Sequence, residues 1–277
     1  MLNSLRKVNK ISPLFFDVSL RDGLQTVKEK IHIKDKINIL YNIINKHNPQ
    51  SIEIGSIVSP KVLPQMENSL ELLNYAKKLP NKIDYYMLVP NMKYLNVAIK
   101  SGVDNFSLIT SVSESFQKKN VKKTLFDTKN EISDMVENIK TNNKNSKIKL
   151  YISCINECPI DGKQINKKVI QEINSYLDYD VDEFCLSDTC GTLMNNDCID
   201  IIENLDCKDY NKLSLHLHYS NDDNLFNIFN YCYNKGIIKY DVSILKDSGG
   251  CSVTMEENKI NGNLHYDNFY TMINKML

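Results

Sequence analysis

Residues 14–25 read LFFDVSLRDGLQ, and the choice of fold turns on the residues just after their first apolar run. Leu14–Leu20 has the apolar, aromatic-rich composition of a buried strand. A doubly wound, dinucleotide-binding sheet places a glycine-rich phosphate turn after such a strand. Here Arg21-Asp22-Gly23 stands in that place. That sets the open doubly wound sheet second, and the charged pair falls where a barrel carries its strand-end groups.

Working outward, the same rhythm recurs. Strand-like runs come at Ser51–Ile57, Tyr85–Val89, Asn105–Thr110, Lys147–Cys154, Glu183–Asp188, Ser214–Tyr219 and Tyr240–Leu245. Segments with helical spacing lie between and after them, near 34–47, 68–79, 92–101, 127–141, 165–178, 195–205, 223–235 and 264–276. Strict alternation argues for a parallel sheet sheathed by helices, and eight units close a barrel. The sequence predicts an α/β fold, a single-domain (β/α)8 TIM barrel over residues 14–277, preceded by an N-terminal tail at 1–13. The polar stretch Thr141–Lys147 reads as a loop at the bottom of the barrel.

Composition narrows the function classes. Lys+Arg and Asp+Glu are both 34, so the 277-residue chain has zero formal charge, which speaks against nucleic acid or a membrane surface as partner. No apolar run is long enough to span a bilayer. The basic N-terminus lacks the apolar stretch of a secretory signal, and although a short organelle transit segment shares its charge, it reads as the plain tail of a cytoplasmic protein. Eight scattered cysteines without C-x-x-C pairs read as reduced, mostly buried thiols, with Cys185, Cys198, Cys207 and Cys232 as core fillers.

Catalytic groups of a barrel sit at the C-terminal ends of its strands. Arg21 and Asp22 end strand one, Glu53 lies on strand two, Asp188 ends strand six, and His216 and His218 lie on strand seven. Two residues apart on a strand, both histidines face the same side. They make half a metal site, for whose completion an oxygen ligand such as Asp22 and an amide oxygen such as Asn263 are candidates. Mixed nitrogen and oxygen ligation suits Mg²⁺ or Mn²⁺, with Zn²⁺ also compatible. A hydrogen-bonded rim pair is the structural alternative. Glu53, costly to bury alone, reads as the partner that braces Arg21. Asp188 either supports a metal ligand or caps the following turn. Cys251 comes after Gly249-Gly250, where a flexible loop delivers an acid–base thiol or carries an ordinary surface cysteine.

These residues carry a family resemblance. Asp17–Gln25 resembles the R-D-G-L-Q strand end of the DRE-TIM metallolyase superfamily, and the whole chain from about residue 14 to 265 resembles the HMG-CoA lyases within it. SIEIGSIVSPKVLPQM at 51–66, Val89-Pro90-Asn91, SESF at 113–116, YISCINECPIDGK at 151–163, SDTCG at 187–191, His216-Leu217-His218, Gly249-Gly250-Cys251 and Gly262-Asn263-Leu264 stand in the family's order. The resemblance implies a divalent metal held by Asp22, His216, His218 and Asn263, and Arg21 as stabiliser of an enolate oxygen. It implies Cys251 as acid or base, with Glu53 and Asp188 in support. Gln25, Asn91, Lys118 and Lys119 are then the groups expected on the coenzyme A side. The implied reaction cleaves 3-hydroxy-3-methylglutaryl-CoA to acetyl-CoA and acetoacetate, in a homodimer. The synthases of isopropylmalate and homocitrate share the metal site but generally lack the cysteine loop, which sets their condensation second. A family relative that has lost turnover is a third reading, because Cys251 is followed by Ser252-Val253-Thr254 instead of proline and an aromatic, and Tyr219-Ser220 replace Asp-Thr after the histidines.

Overall fold

The computed structural model describes residues 12–246, 248–250 and 261–276. Eight strands form one closed barrel: β1 (Leu14–Asp17), β2 (Ser51–Ser56), β3 (Asp84–Leu88), β4 (Asn105–Ser111), β5 (Ile148–Ser153), β6 (Glu183–Ser187), β7 (Leu213–His216) and β8 (Lys239–Val242). Each pairs in parallel with its sequence neighbours, and β8 closes on β1 with Phe16 opposite Asp241. The expected TIM barrel is the observed fold. The expected tail falls almost wholly outside the described residues.

Alternation along the strands separates two interiors. Ile52 and Ile54 of β2, Ile148, Leu150 and Ile152 of β5, and Tyr240 and Val242 of β8 join the large apolar cluster between barrel and helices. The intervening residues turn into the lumen, where Glu53, Lys149, Tyr151, Cys185 and Asp241 are all buried. The lumen is therefore a charged, hydrogen-bonded core.

The outer layer consists of α1 (Ile33–His47), α2 (Ser69–Ala76), α3 (Met92–Lys100), α4 (Glu114–Val121), α5 (Leu125–Asn142), α6 (Asn166–Asn174), α7 (Asn195–Glu203), α8 (Asp222–Asn234) and α9 (Tyr266–Met276). Side-chain caps set helix starts: Ser113 Oγ accepts from the Phe116 N–H, and Asn221 Oδ1 from the Asn224 N–H. Two features differ from the expected alternation. α4 adds a helix after β4, and Glu157–Cys158 pairs with Gly162–Lys163 in a short antiparallel hairpin. The first strand stops at Asp17, not Leu20, because Ser19–Gly23 winds into a buried π-helical turn. That turn brings Arg21 and Asp22 over the barrel mouth. Cys154, Cys158, Cys185, Cys190, Cys198 and Cys232 are buried free thiols, whereas Cys207, expected in the core, is half-buried. Among the described residues no helix is long and apolar enough to cross a membrane.

Candidate active site at the barrel mouth

The turn after β1 and the end of β7 bring three ligand-capable groups together. Oxygen and nitrogen atoms of Asp22, His216 and His218 lie within 4.8 Å of one another, all buried. His216 Nε2 is 3.9 Å from Asp22 Oδ2 and 3.2 Å from His218 Nε2. His218 lies just past β7, where an isolated antiparallel bridge to Asn263 holds it. Its Nδ1 is 2.6 Å from the Asn261 carbonyl oxygen, which only accepts, so this ring nitrogen carries the hydrogen.

Asn263 completes the cluster. Its Nδ2 donates to Asp22 Oδ2 at 2.9 Å, while its Oδ1 is buried without a partner. A 95%-buried amide with an orphaned carbonyl oxygen beside a carboxylate and two imidazoles is what a hard cation satisfies. Gly249 makes room for this arrangement. It sits at φ 99°, and a Cβ there would overlap the Asn263 amide and the Asp22 carboxylate. The next residue, Gly250, donates its N–H to Asp22 Oδ2 at 2.8 Å. The four-residue set therefore fits a divalent metal in ligand type and in its one unsatisfied donor atom.

Arg21 stands beside it. Its Nη1 lies 2.5 Å from Asp22 Oδ1, and its Nε lies 2.5 Å from Glu53 Oε2. Glu53 also accepts from the Tyr151 hydroxyl at 3.2 Å, and the guanidinium lies over the Tyr151 ring. Burial pushes the Asp22 carboxyl up, but Arg21, then His216 and His218, hold it well below the usual carboxylate range. Burial, and then His216, lower His218 to about 4, so at neutral pH its ring is uncharged, the form a metal ligand needs. Arg21, Asp22, Tyr151, His216 and His218 line a cavity of about 450 Å³ together with apolar side chains that include Val58, Leu63, Met66 and Phe116.

The family model described as HMGL-like matches residues 12–225 of this chain. The chain belongs to the HMGL-like family. Over 242 residues it is 29% identical to the 3-hydroxy-3-isohexenylglutaryl-CoA/hydroxy-methylglutaryl-CoA lyase of Pseudomonas aeruginosa, covering 85% of this chain and 77% of that protein. Over 175 residues it is 31% identical to the mitochondrial hydroxymethylglutaryl-CoA lyase of Macaca fascicularis, covering 63% of this chain and 53% of that one. The match thus spans about half the mitochondrial relative. The solved hydroxymethylglutaryl-CoA lyase of Pseudomonas aeruginosa superposes with a TM-score of 0.82 at 27% identity, covering 96% of this chain and 86% of that one.

Within this HMGL-like barrel, the residues expected from sequence separate by position. Arg21, Asp22, His216, His218, Glu53 and Asn263 meet at the mouth. Gln25 and Asn91 line the cavity, although Asn91 Oδ1 also caps α3 by accepting from the Tyr94 N–H. Asp188 caps its own turn, with Oδ1 accepting from Thr192 N–H and Oδ2 from Leu193 N–H. Burial raises its carboxyl to about 6. Lys118 and Lys119, expected beside coenzyme A, sit on α4 outside the cavity wall, which takes Asn120 and Lys122 instead. The α4 register turns Lys118 outward, where it pairs with Glu114 one turn earlier at 2.9 Å. Cys251 lies outside the described residues. Sequence reading misses Asp241, 3.0 Å from His216 Nδ1, and Asn261. Asp241 does carry a signal, being a charged residue at an inward strand position. Asn261 carries none, because it acts through its backbone.

Proposed function

We propose that this chain is a metal-dependent carbon–carbon lyase that cleaves 3-hydroxy-3-methylglutaryl-CoA to acetyl-CoA and acetoacetate. The observation that carries the reading is the buried Asp22–His216–His218 cluster with the orphaned Asn263 Oδ1 beside it and Arg21 in contact. Membership of the HMGL-like family and relatives named as lyases of this substrate class support it.

Asp22, His216, His218 and Asn263 would hold Mg²⁺ or Mn²⁺, which when bound acidifies a coordinated hydroxyl and polarises a neighbouring oxygen. The tertiary hydroxyl of the substrate loses its proton to a base. The bond between C2 and C3 then breaks, and its electron pair moves toward the thioester carbonyl. C3 leaves as the ketone of acetoacetate. Arg21, braced by Glu53 and stacked on Tyr151, offers a fixed positive charge to the enolate oxygen that forms. One proton returns to C2 and yields acetyl-CoA, so the proton count closes. Cys251, two residues beyond Gly249, is the group we assign to that transfer, and residues 14–277 act as one catalytic domain.

The test is a product balance. Purified chain with Mn²⁺ and 3-hydroxy-3-methylglutaryl-CoA should form acetyl-CoA and acetoacetate in equal amounts. Free coenzyme A without acetoacetate would mean thioester hydrolysis and would refute the reading.

A further inference from the structure

One layer below the mouth lies a charged pair that the proposed reaction does not use. Lys149 on β5 and Asp241 on β8 project into the lumen, and each side chain is only 1% exposed. Lys149 Nζ is 2.5 Å from Asp241 Oδ1 and 2.7 Å from Glu183 Oε1, and it stands 3.8 Å over the Phe16 ring. Asp241 Oδ2 faces His216 Nδ1 at 3.0 Å. The two oxygens of one carboxylate thus join a buried ammonium to a ring of the metal cluster.

The geometry dictates where the His216 hydrogen sits. A carboxylate against an ammonium only accepts hydrogen bonds. The hydrogen in the 3.0 Å contact therefore belongs to His216 Nδ1, and in the neutral ring, the form that binds a metal, Nε2 keeps its lone pair. His218 reaches the same state through the Asn261 carbonyl. Two lone pairs then face each other across the 3.2 Å between the Nε2 atoms. Neutral rings so oriented have no hydrogen to share, whereas a cation between them serves both. We propose that Asp241 and Lys149 are positioning residues: Lys149 occupies one carboxylate oxygen so that the other fixes His216 as the Nδ1–H tautomer, with Nε2 presented to the metal. This inference rests on the metal reading of the site.

Asp241→Asn separates the roles. Lys149 would keep the amide oxygen on its side, so the amide nitrogen, a donor, would face His216 Nδ1. The ring would then move its hydrogen to Nε2 and lose its ligand lone pair. The chain has five histidines, so long-range ¹H–¹⁵N spectra of the metal-free, ¹⁵N-histidine-labelled protein resolve the tautomer directly. The expected result is Nδ1–H at His216 in the wild type, Nε2–H in Asp241→Asn, and an affinity for Mn²⁺ weaker by about 10- to 100-fold. If Asp241→Asn does not fold, Lys149→Met and Lys149→Arg replace it. The methionine variant should bind Mn²⁺ several-fold more weakly, and the arginine variant should recover wild-type binding. A wild-type ring with its hydrogen on Nε2, or full Mn²⁺ affinity in Asp241→Asn or Lys149→Met, overturns the proposal. Wild-type protein that binds no Mn²⁺ but shows Nδ1–H overturns the metal reading instead.

Discussion

Glu53→Ala tests whether the brace behind Arg21 serves both stability and chemistry. Glu53 is fully buried, and its Oε2 takes the Arg21 Nε–H and the Tyr151 hydroxyl. Removing it leaves a buried guanidinium with Asp22 as its remaining carboxylate partner, together with a phenol that has lost its acceptor. Breaking one partner of a buried pair costs about 3–5 kcal/mol. For a chain of 277 residues the entropy of unfolding is about 0.6 kcal/mol/K, so the midpoint should fall by about 5–9 °C. Glu53→Gln keeps an acceptor for Arg21 Nε but not the charge, and should cost only about 1–2 kcal/mol, the gap between charge-assisted and neutral hydrogen bonds. Calorimetry of both variants without metal measures this ordering. Turnover of metal-loaded Glu53→Ala should fall about 100- to 1000-fold, the range for a lost oriented charge stabiliser. A midpoint within about 2 °C of wild type, set against the same entropy, or a Glu53→Gln as damaged as Glu53→Ala, would refute the argument.

The same geometry sets the outcome of other perturbations. Asn263→Ala removes the orphaned oxygen and should weaken Mn²⁺ binding at least about tenfold by calorimetric titration; unchanged affinity would remove Asn263 from the ligand set. Gly249→Ala forces a Cβ onto Asp22 and Asn263 at a backbone angle that favours glycine, so the folded variant should lose metal and turnover together, as atomic absorption and activity would report. Cys251→Ala should retain metal and fold but lose most turnover, and wild-type rates in it would demote the thiol. Asp17 is raised by burial from 3.8 to about 7. A carboxyl raised on folding contributes stability below about pH 4 that is lost as pH climbs through about 7, an effect of about 4 kcal/mol. The stability difference between Asp17→Asn and wild type should therefore shift in favour of the variant between about pH 4 and about pH 8, and a pH-independent difference would contradict the assignment.

The barrel is legible in the sequence because its strands pack against helices on their outer face. Ile52 and Ile54, or Leu150 and Ile152, recur at period two and mark that packing directly. The inner face misleads. Lys149, Tyr151 and Asp241 look like the solvent side of a half-buried strand, although they line a closed lumen that only ring closure creates. The first strand reads too long for a related reason: Val18 and Leu20 stay apolar and buried after the chain has left the ladder. α4 escapes a periodicity reading because Glu114–Val121 buries only Phe116 and Gln117 and so has no apolar stripe. Among site residues, Asp22, His216 and His218 announce themselves by residue type at strand ends. Lys118 and Lys119 are visible in the sequence as cations, but residue type does not say which face of a helix lines the cavity, and there Asn120 and Lys122 stand.

The most direct test of the metal-centred account is a titration of activity. EDTA-stripped protein should release no acetoacetate from 3-hydroxy-3-methylglutaryl-CoA. Stepwise Mn²⁺ should restore the rate in proportion and saturate at one ion per chain. A rate that survives metal removal, or a chain that binds one Mn²⁺ and still releases no acetoacetate, would contradict it.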